Sequence, residues 1–176
     1  YLRKKLGFKK IYIAGHSLGG MIAPAYAIKY AKNVFAIALI STAAGRNAED
    51  RSRVINIIKL IKQNGITKIA NTLIDRWFTD EFIQLNPDII QKRIQQVIDT
   101  DLEIILNVFH IYANTEMFPW LKNVSVPSLV LTGEKDGGCS PRLNKIIANQ
   151  IPDSKLVILQ KYKHSLLLEA PDEVAD

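Results

Sequence analysis

The rhythm of apolar and polar positions divides the 176-residue chain into three stretches. The first, up to about residue 45, holds short and nearly continuous apolar runs. Lys10–Ala14 and Asn33–Thr42 (NVFAIALIST) are two of them, and they predict strands covered on both faces, as in a parallel sheet. Between them, Leu18–Lys32 carries apolar residues at helical spacing, with Met21, Ile22, Ala25 and Ile28 marking the expected inner face. Pro24 lies inside that run. A mid-helix proline loses a hydrogen bond and costs about 3 kcal/mol, which predicts a kink or a distorted turn.

From Ala43 to about Asn123 the apolar period becomes three and four. Helices are predicted near 48–63, 66–77, 79–85, 88–99 and 101–114. A stretch this long is no loop, and it reads as a helical cap inserted between two strands. Strand rhythm returns at Ser128–Gly133 and Lys155–Gln160. Ser140-Pro141 opens a helix between them, and Pro171 opens a last one. The expected organisation is a core over 1–45, a cap over 46–123 and the rest of the core over 124–176. Its fold class is α/β, a parallel sheet flanked by helices, with right-handed crossovers and functional loops at the C-terminal strand ends.

Composition adds limits. The net charge is +6, but the lysines are dispersed, without a basic arm or aromatic interleaving, so no nucleic-acid partner is expected. No apolar run reaches membrane-spanning length, and no signal-peptide pattern opens the chain. The single cysteine, Cys139, forms no internal disulfide and suits a reducing cytosol, so a cytoplasmic location is expected. The sequence is silent on oligomeric state. Both ends read as cut, because Tyr1 falls in the tail of an amphipathic helix and Asp176 a few residues into another. The chain is therefore expected to be the middle and C-terminal part of a longer protein.

The candidate chemistry starts at Gly15-His16-Ser17-Leu18-Gly19, a G-x-S-x-G pattern between a predicted strand and a predicted helix. That context makes it a nucleophile elbow, with Ser17 on a strained turn. Gly15 and Gly19 are expected to spare collisions between strand and helix. The Leu18 N–H, at the helix start, can face an oxyanion. A serine hydroxyl needs a base, and the base needs a carboxylate to orient it. Asp136 and His164 each follow a strand end, and Ser17, Asp136, His164 run in the order nucleophile, acid, base. Glu134 is the competing acid. His16 is expected to point away from the reaction centre, His110 to pack in the cap, and Cys139 to be a bystander. No metal-ligand spacing or phosphate-binding glycine loop occurs, so neither metal nor cofactor is expected. Arg46 and Arg76 are candidates to hold a substrate carboxylate, which would favour a small acidic ester or lactone. Trp77, Phe78, Phe82, Phe109, Tyr112, Phe118 and Trp120 are the cap aromatics that are candidates to line an apolar acyl pocket, Trp77, Phe78 and Trp120 foremost.

Three stretches carry a resemblance: GHSLGG (15–20), LVLTGEKDGGCSP (129–141) and KHSLLLEAPDEV (163–174). They resemble the elbow, acid loop and histidine loop of the cap-bearing esterase, lactonase and haloperoxidase-like group of the α/β-hydrolase fold. A narrower likeness to 3-oxoadipate enol-lactonases lies in Arg76-Trp77-Phe78-Thr79 and the residues after it. The resemblance implies a serine hydrolase acting on a small-molecule carboxylic ester or lactone through an acyl-enzyme. Acyl transfer, C–C hydrolysis, cofactor-free peroxidation and a catalytically silent binding protein are the alternatives. Two departures stand out. Lys163 replaces a frequent glycine, and the family's first strands, with the second oxyanion donor, are not in the sequence. Alone, the chain is therefore expected to be poorly soluble and inactive.

Overall fold

A computed structural model describes residues 1–176. Four parallel strands form one sheet in the order β1 (Ile11–His16), β2 (Val34–Ile40), β3 (Ser128–Gly133), β4 (Ser154–Leu159). Register is set by pairs such as Gly15 with Leu39, Ala38 with Leu129 and Val130 with Leu156. After a short N-terminal turn of helix, α1 (Leu2–Lys5), the helix α2 (Leu18–Lys29) follows β1, and α9 (Pro141–Gln150) connects β3 to β4. The core between sheet and helices gathers Met21, Ala27, Ile37, Leu39, Val130 and Ile147, all buried.

Helix α2 runs through Pro24 without interruption. Its buried side chains are Met21, Ala23, Pro24 and Ala27, whereas Ile22 is 60% exposed beside β1. The expected inner face is thus rotated. With apolar residues almost all round the helix, spacing alone did not fix its orientation. Strand β1 lies at the sheet edge and leaves Tyr12 open to solvent.

All six helices between β2 and β3 belong to one insertion: α3 (Ala48–Asn64), α4 (Ile66–Trp77), α5 (Asp80–Leu85), α6 (Pro87–Asp99), α7 (Leu102–Asn114) and α8 (Phe118–Leu121). Their starts follow local chemistry. Asn47 and Asp50 form a reciprocal capping box on α3, Thr79 caps α5, and Asp101 caps α7. The insertion has a core of its own around Ile61, Ile69, Ala70, Leu73 and Val97. Two short helices, α10 (Leu166–Glu169) and α11 (Pro171–Ala175), close the chain. The one-turn helices α8 and α10 are too short to show a periodicity in sequence. No helix is long and apolar enough to cross a membrane.

Candidate active site

The site lies along the C-terminal rim of the sheet. Ser17 sits between β1 and α2 at φ 54°, ψ −112°, a left-handed backbone that an L residue adopts only under strain. Its N–H donates to the Ile40 carbonyl (2.8 Å), which ties the turn to β2. Gly15 is obligatory here, because a Cβ at that position would stand 2.1 Å from the Gly19 carbonyl oxygen. Gly19, expected to play the same part, has open space where its side chain would be. The second steric position is Gly20, where a Cβ would strike the Thr42 side chain. Leu18 begins α2, so its N–H has no partner within the helix, and the residue borders the cavity next to Ser17.

The candidate acid comes from the loop after β3. Asp136 is 2% exposed and its carboxylate is fully engaged. Oδ1 accepts from the Gly138 N–H (2.9 Å) and the Cys139 N–H (2.8 Å), and Oδ2 lies 2.7 Å from His164 Nδ1. Burial disfavours the charged carboxylate, but the hydrogen bonds from His164, Cys139 and Gly138 outweigh it and hold its pKa below the usual value. Glu134 instead accepts the Lys161 N–H at the surface. The two loops approach closely because position 133 is glycine, where a Cβ would stand 2.2 Å from the Lys163 carbonyl oxygen.

His164 follows β4. Burial pushes its pKa down, but the Asp136 carboxylate and the neighbouring Cys139 together raise it further, to about 10. Its backbone is pinned from two sides. The N–H groups of His164 (3.1 Å) and Ser165 (2.9 Å) both donate to the Trp77 carbonyl at the end of α4. The His164 carbonyl lies 2.9 Å from His16 Nε2, and the two imidazole rings are tilted against each other at 4.9 Å. His16 therefore faces the site rather than away from it. Burial lowers its pKa, so it is neutral and can donate Nε2–H to that carbonyl. No hydrogen bond joins Ser17 Oγ to His164, and both side chains border one cavity of about 910 Å³.

The insertion roofs this cavity. Trp77, Phe109, Tyr112, Arg76 and Arg93 line it together with Ser17, Asp136 and His164. Three of the foremost sequence candidates do not. Phe78 is fully buried with Ile74 and Ile90 and stacks on Phe82. Trp120 packs against the sheet-side core. Arg46 is 5% exposed, lies over the Tyr112 ring at 4.4 Å, and gives Nη2 to the Thr115 carbonyl (2.7 Å). In each case the side chain is spent on packing behind the cavity wall. His110 also lies outside the lining.

Cys139 is more than a bystander. Its N–H serves Asp136, and its Sγ lies 2.7 Å from the Tyr112 hydroxyl. Burial pushes the thiol and the phenol pKa values up, keeping both neutral. Asp136, Cys139 and His164 bring potential ligand atoms within 4.8 Å of one another. Asp136 Oδ2 and His164 Nδ1 are bonded to each other, Oδ1 to two N–H groups and Cys139 Sγ to Tyr112, so these potential ligand atoms are already engaged with one another and their neighbours. Tyr112 and Phe109 line the cavity as expected of cap aromatics, whereas the Tyr112–Cys139 contact and the part of the Trp77 carbonyl had no sequence signal, because each arises only through tertiary packing.

Known proteins resemble this arrangement. Residues 1–171 match the family described as alpha/beta hydrolase fold. A 3-oxoadipate enol-lactonase of Acinetobacter baylyi is 27% identical over 148 residues, 83% of this chain and 54% of that protein. A proline iminopeptidase of Pestalotiopsis fici is 26% identical over 187 aligned residues, 94% of this chain and 64% of that protein. The crystal structure of an enol-lactonase from Burkholderia xenovorans superposes with a TM-score of 0.86 at 22% identity, over 98% of this chain and 65% of that one, which shows the shared fold. The chain thus spans a little over half the length of the first of these relatives and under two-thirds of the second.

Proposed function

Given that the chain belongs to the α/β-hydrolase family, we propose that the protein of which it forms part is a serine hydrolase cleaving a carboxylic ester or lactone through an acyl-enzyme. The observation that carries this is the 2.7 Å bond between Asp136 Oδ2 and His164 Nδ1 on the same cavity as a serine held at φ 54°. Ser17 Oγ attacks the carbonyl carbon while His164 Nε2 takes its proton. Asp136 keeps the Nδ1–H in place and stabilises the imidazolium that forms. The Leu18 N–H faces the developing oxyanion, where the positive end of α2 adds to its effect. His164 then returns the proton to the leaving alcohol, and a water, activated by the same imidazole, releases the acid. In this reading the six inserted helices act as a cap that selects the substrate. The enol-lactonase relative supports lactone or ester chemistry, and the iminopeptidase relative makes the amide bond the contrast to test.

The test is an assay of the full reading frame on short-chain p-nitrophenyl esters, a carboxylate-bearing lactone and an amino-acid amide, beside Ser17→Ala. Ester or lactone turnover that disappears in the variant supports the proposal. Preference for the amide, or activity that survives Ser17→Ala, contradicts it.

A further inference from the structure

The cavity wall carries five cationic side chains, Arg53, Arg76, Arg93, Lys135 and Lys163, against two carboxylates, Asp75 and Asp136. Asp136 is committed to His164. Arg53 is paired with Glu49 and Lys163 with Asp80. Arg93, on α6, differs from the rest in being half-buried with no carboxylate in ion-pair reach. Its one side-chain hydrogen bond goes from Nη1 to the neutral Gln96 Oε1 at 3.3 Å. The guanidinium lies over the Trp77 ring at 5.2 Å, and the Trp77 carbonyl holds the His164 loop. Arg93 lines the same cavity as His16, Ser17 and His164. Burial lowers the pKa of Arg93 itself, the mark of a cation partly removed from water without a counter-charge.

A half-buried charge without a partner is costly, and a bound anion offsets the cost. The guanidinium fork suits a planar carboxylate, which it can hold through two parallel N–H bonds. We propose that Arg93 is the subsite for a carboxylate on the substrate, so that the ester or lactone cleaved at Ser17 is anionic. This rests on the hydrolase reading above and names its substrate class. Trp77 fixes the guanidinium plane, and the apolar side chains of Val97 and Phe109 on the same cavity accept the carbon chain between carboxylate and scissile carbonyl.

The experiment reads binding without chemistry. The full reading frame carrying Ser17→Ala is titrated by calorimetry with mono-4-nitrophenyl glutarate and with 4-nitrophenyl valerate, two acyl chains of equal length that differ in charge. The anionic ester is expected to bind about tenfold tighter or more, as for one charge-assisted contact. Adding Arg93→Met, which keeps the stem on Trp77, is expected to erase the difference, and Arg93→Lys to retain part of it. Equal affinities, no binding of either ester, or a preference that survives Arg93→Met overturns the inference. Failure of the wild type to hydrolyse either ester counts against the hydrolase reading alone, because the binding comparison stands apart from turnover.

Discussion

The sheet and the helical insertion contribute to one cavity in different ways. The sheet delivers Ser17, Asp136 and His164 from three strand ends, and register and close backbone approach fix each of them. The insertion has a core of its own and meets the sheet side through specific polar ties. Trp77 receives the His164 and Ser165 N–H groups, and Glu169 accepts both the N–H and the hydroxyl of Thr79 at 2.7 Å. Lys163 Nζ donates to the Asp75 carbonyl at 2.8 Å, and the Tyr112 hydroxyl meets Cys139. Under the proposed function, the contrast would separate reaction and selectivity in space and join them mechanically at the histidine loop. Changes on the sheet rim should abolish turnover, changes in the cavity roof should redistribute it among substrates, and changes in the ties should do some of each.

The largest effect is expected at the rim. Asp136→Asn should lower kcat by about 10⁴-fold with little change in KM, since the imidazole loses its orientation and the carboxylate that stabilises its charged form. The pH profile sharpens this. His164 must be neutral to accept the serine proton, and its pKa is raised to about 10 by Asp136 with a share from Cys139. Activity should therefore climb on the alkaline side of neutrality, as His164 loses its proton. In Asp136→Asn the residual activity should have its ascending limb at lower pH, because the carboxylate that raises the pKa is gone. A limb that stays in place would assign the titration to another group.

Next comes Gly133→Ala, which sets a methyl group against the Lys163 and Tyr162 carbonyls. One loop must shift, at a cost of about 1–3 kcal/mol in unfolding free energy, measurable by denaturant titration, and kcat should fall with it. Smaller again is His16→Ala. The His164 carbonyl loses its side-chain donor, which should lower kcat by about tenfold, near the value of one hydrogen bond. His16→Gln, with an amide donor, should recover part of it. Thr79→Val probes a tie from the insertion. It removes the hydroxyl's bond to Glu169 Oε1 and the N-cap bond that the same hydroxyl accepts from the Phe82 N–H, and should cost about 1–2 kcal/mol of stability, with a severalfold change in kcat. The smallest effect belongs to Arg53→Gln, whose exposed i,i+4 pair with Glu49 is worth about 0.5 kcal/mol or less. A large loss of stability there would mean that the insertion is held by surface charge rather than by its own core.

The same contrast explains how much could be read from sequence. Strand ends announce themselves, because apolar runs stop at Gly or polar residues, and the reactive side chains follow within a few positions. The positions of Ser17, Asp136 and His164 just after strand ends were accessible for that reason, and so was the parallel sheet. The insertion was legible as helices but not as a lining. Trp77 and Phe78 are adjacent in sequence, yet one borders the cavity and the other is fully buried. Trp77 ends α4 and Phe78 already leaves it in extended backbone (φ −122°, ψ 150°), so the two side chains part there, and only the packing partner decides which direction is cavity and which is core. Arg46 and Arg93 invert in the same way. Arg46, close after a strand end, lies over Tyr112 and bonds the Thr115 carbonyl away from the cavity, whereas Arg93, mid-helix, borders the cavity with no carboxylate partner. Gly19 and Gly20 show the limit at the elbow itself, where the motif glycine meets nothing and its neighbour meets Thr42.

The central claim is that the sheet rim activates Ser17. The most direct measurement is mass-spectrometric mapping of a fluorophosphonate adduct on the full reading frame, in the wild type and in His164→Ala. A single adduct on Ser17 that is lost in His164→Ala is the predicted result. No adduct on folded wild-type protein, or one on a residue other than Ser17, would contradict it.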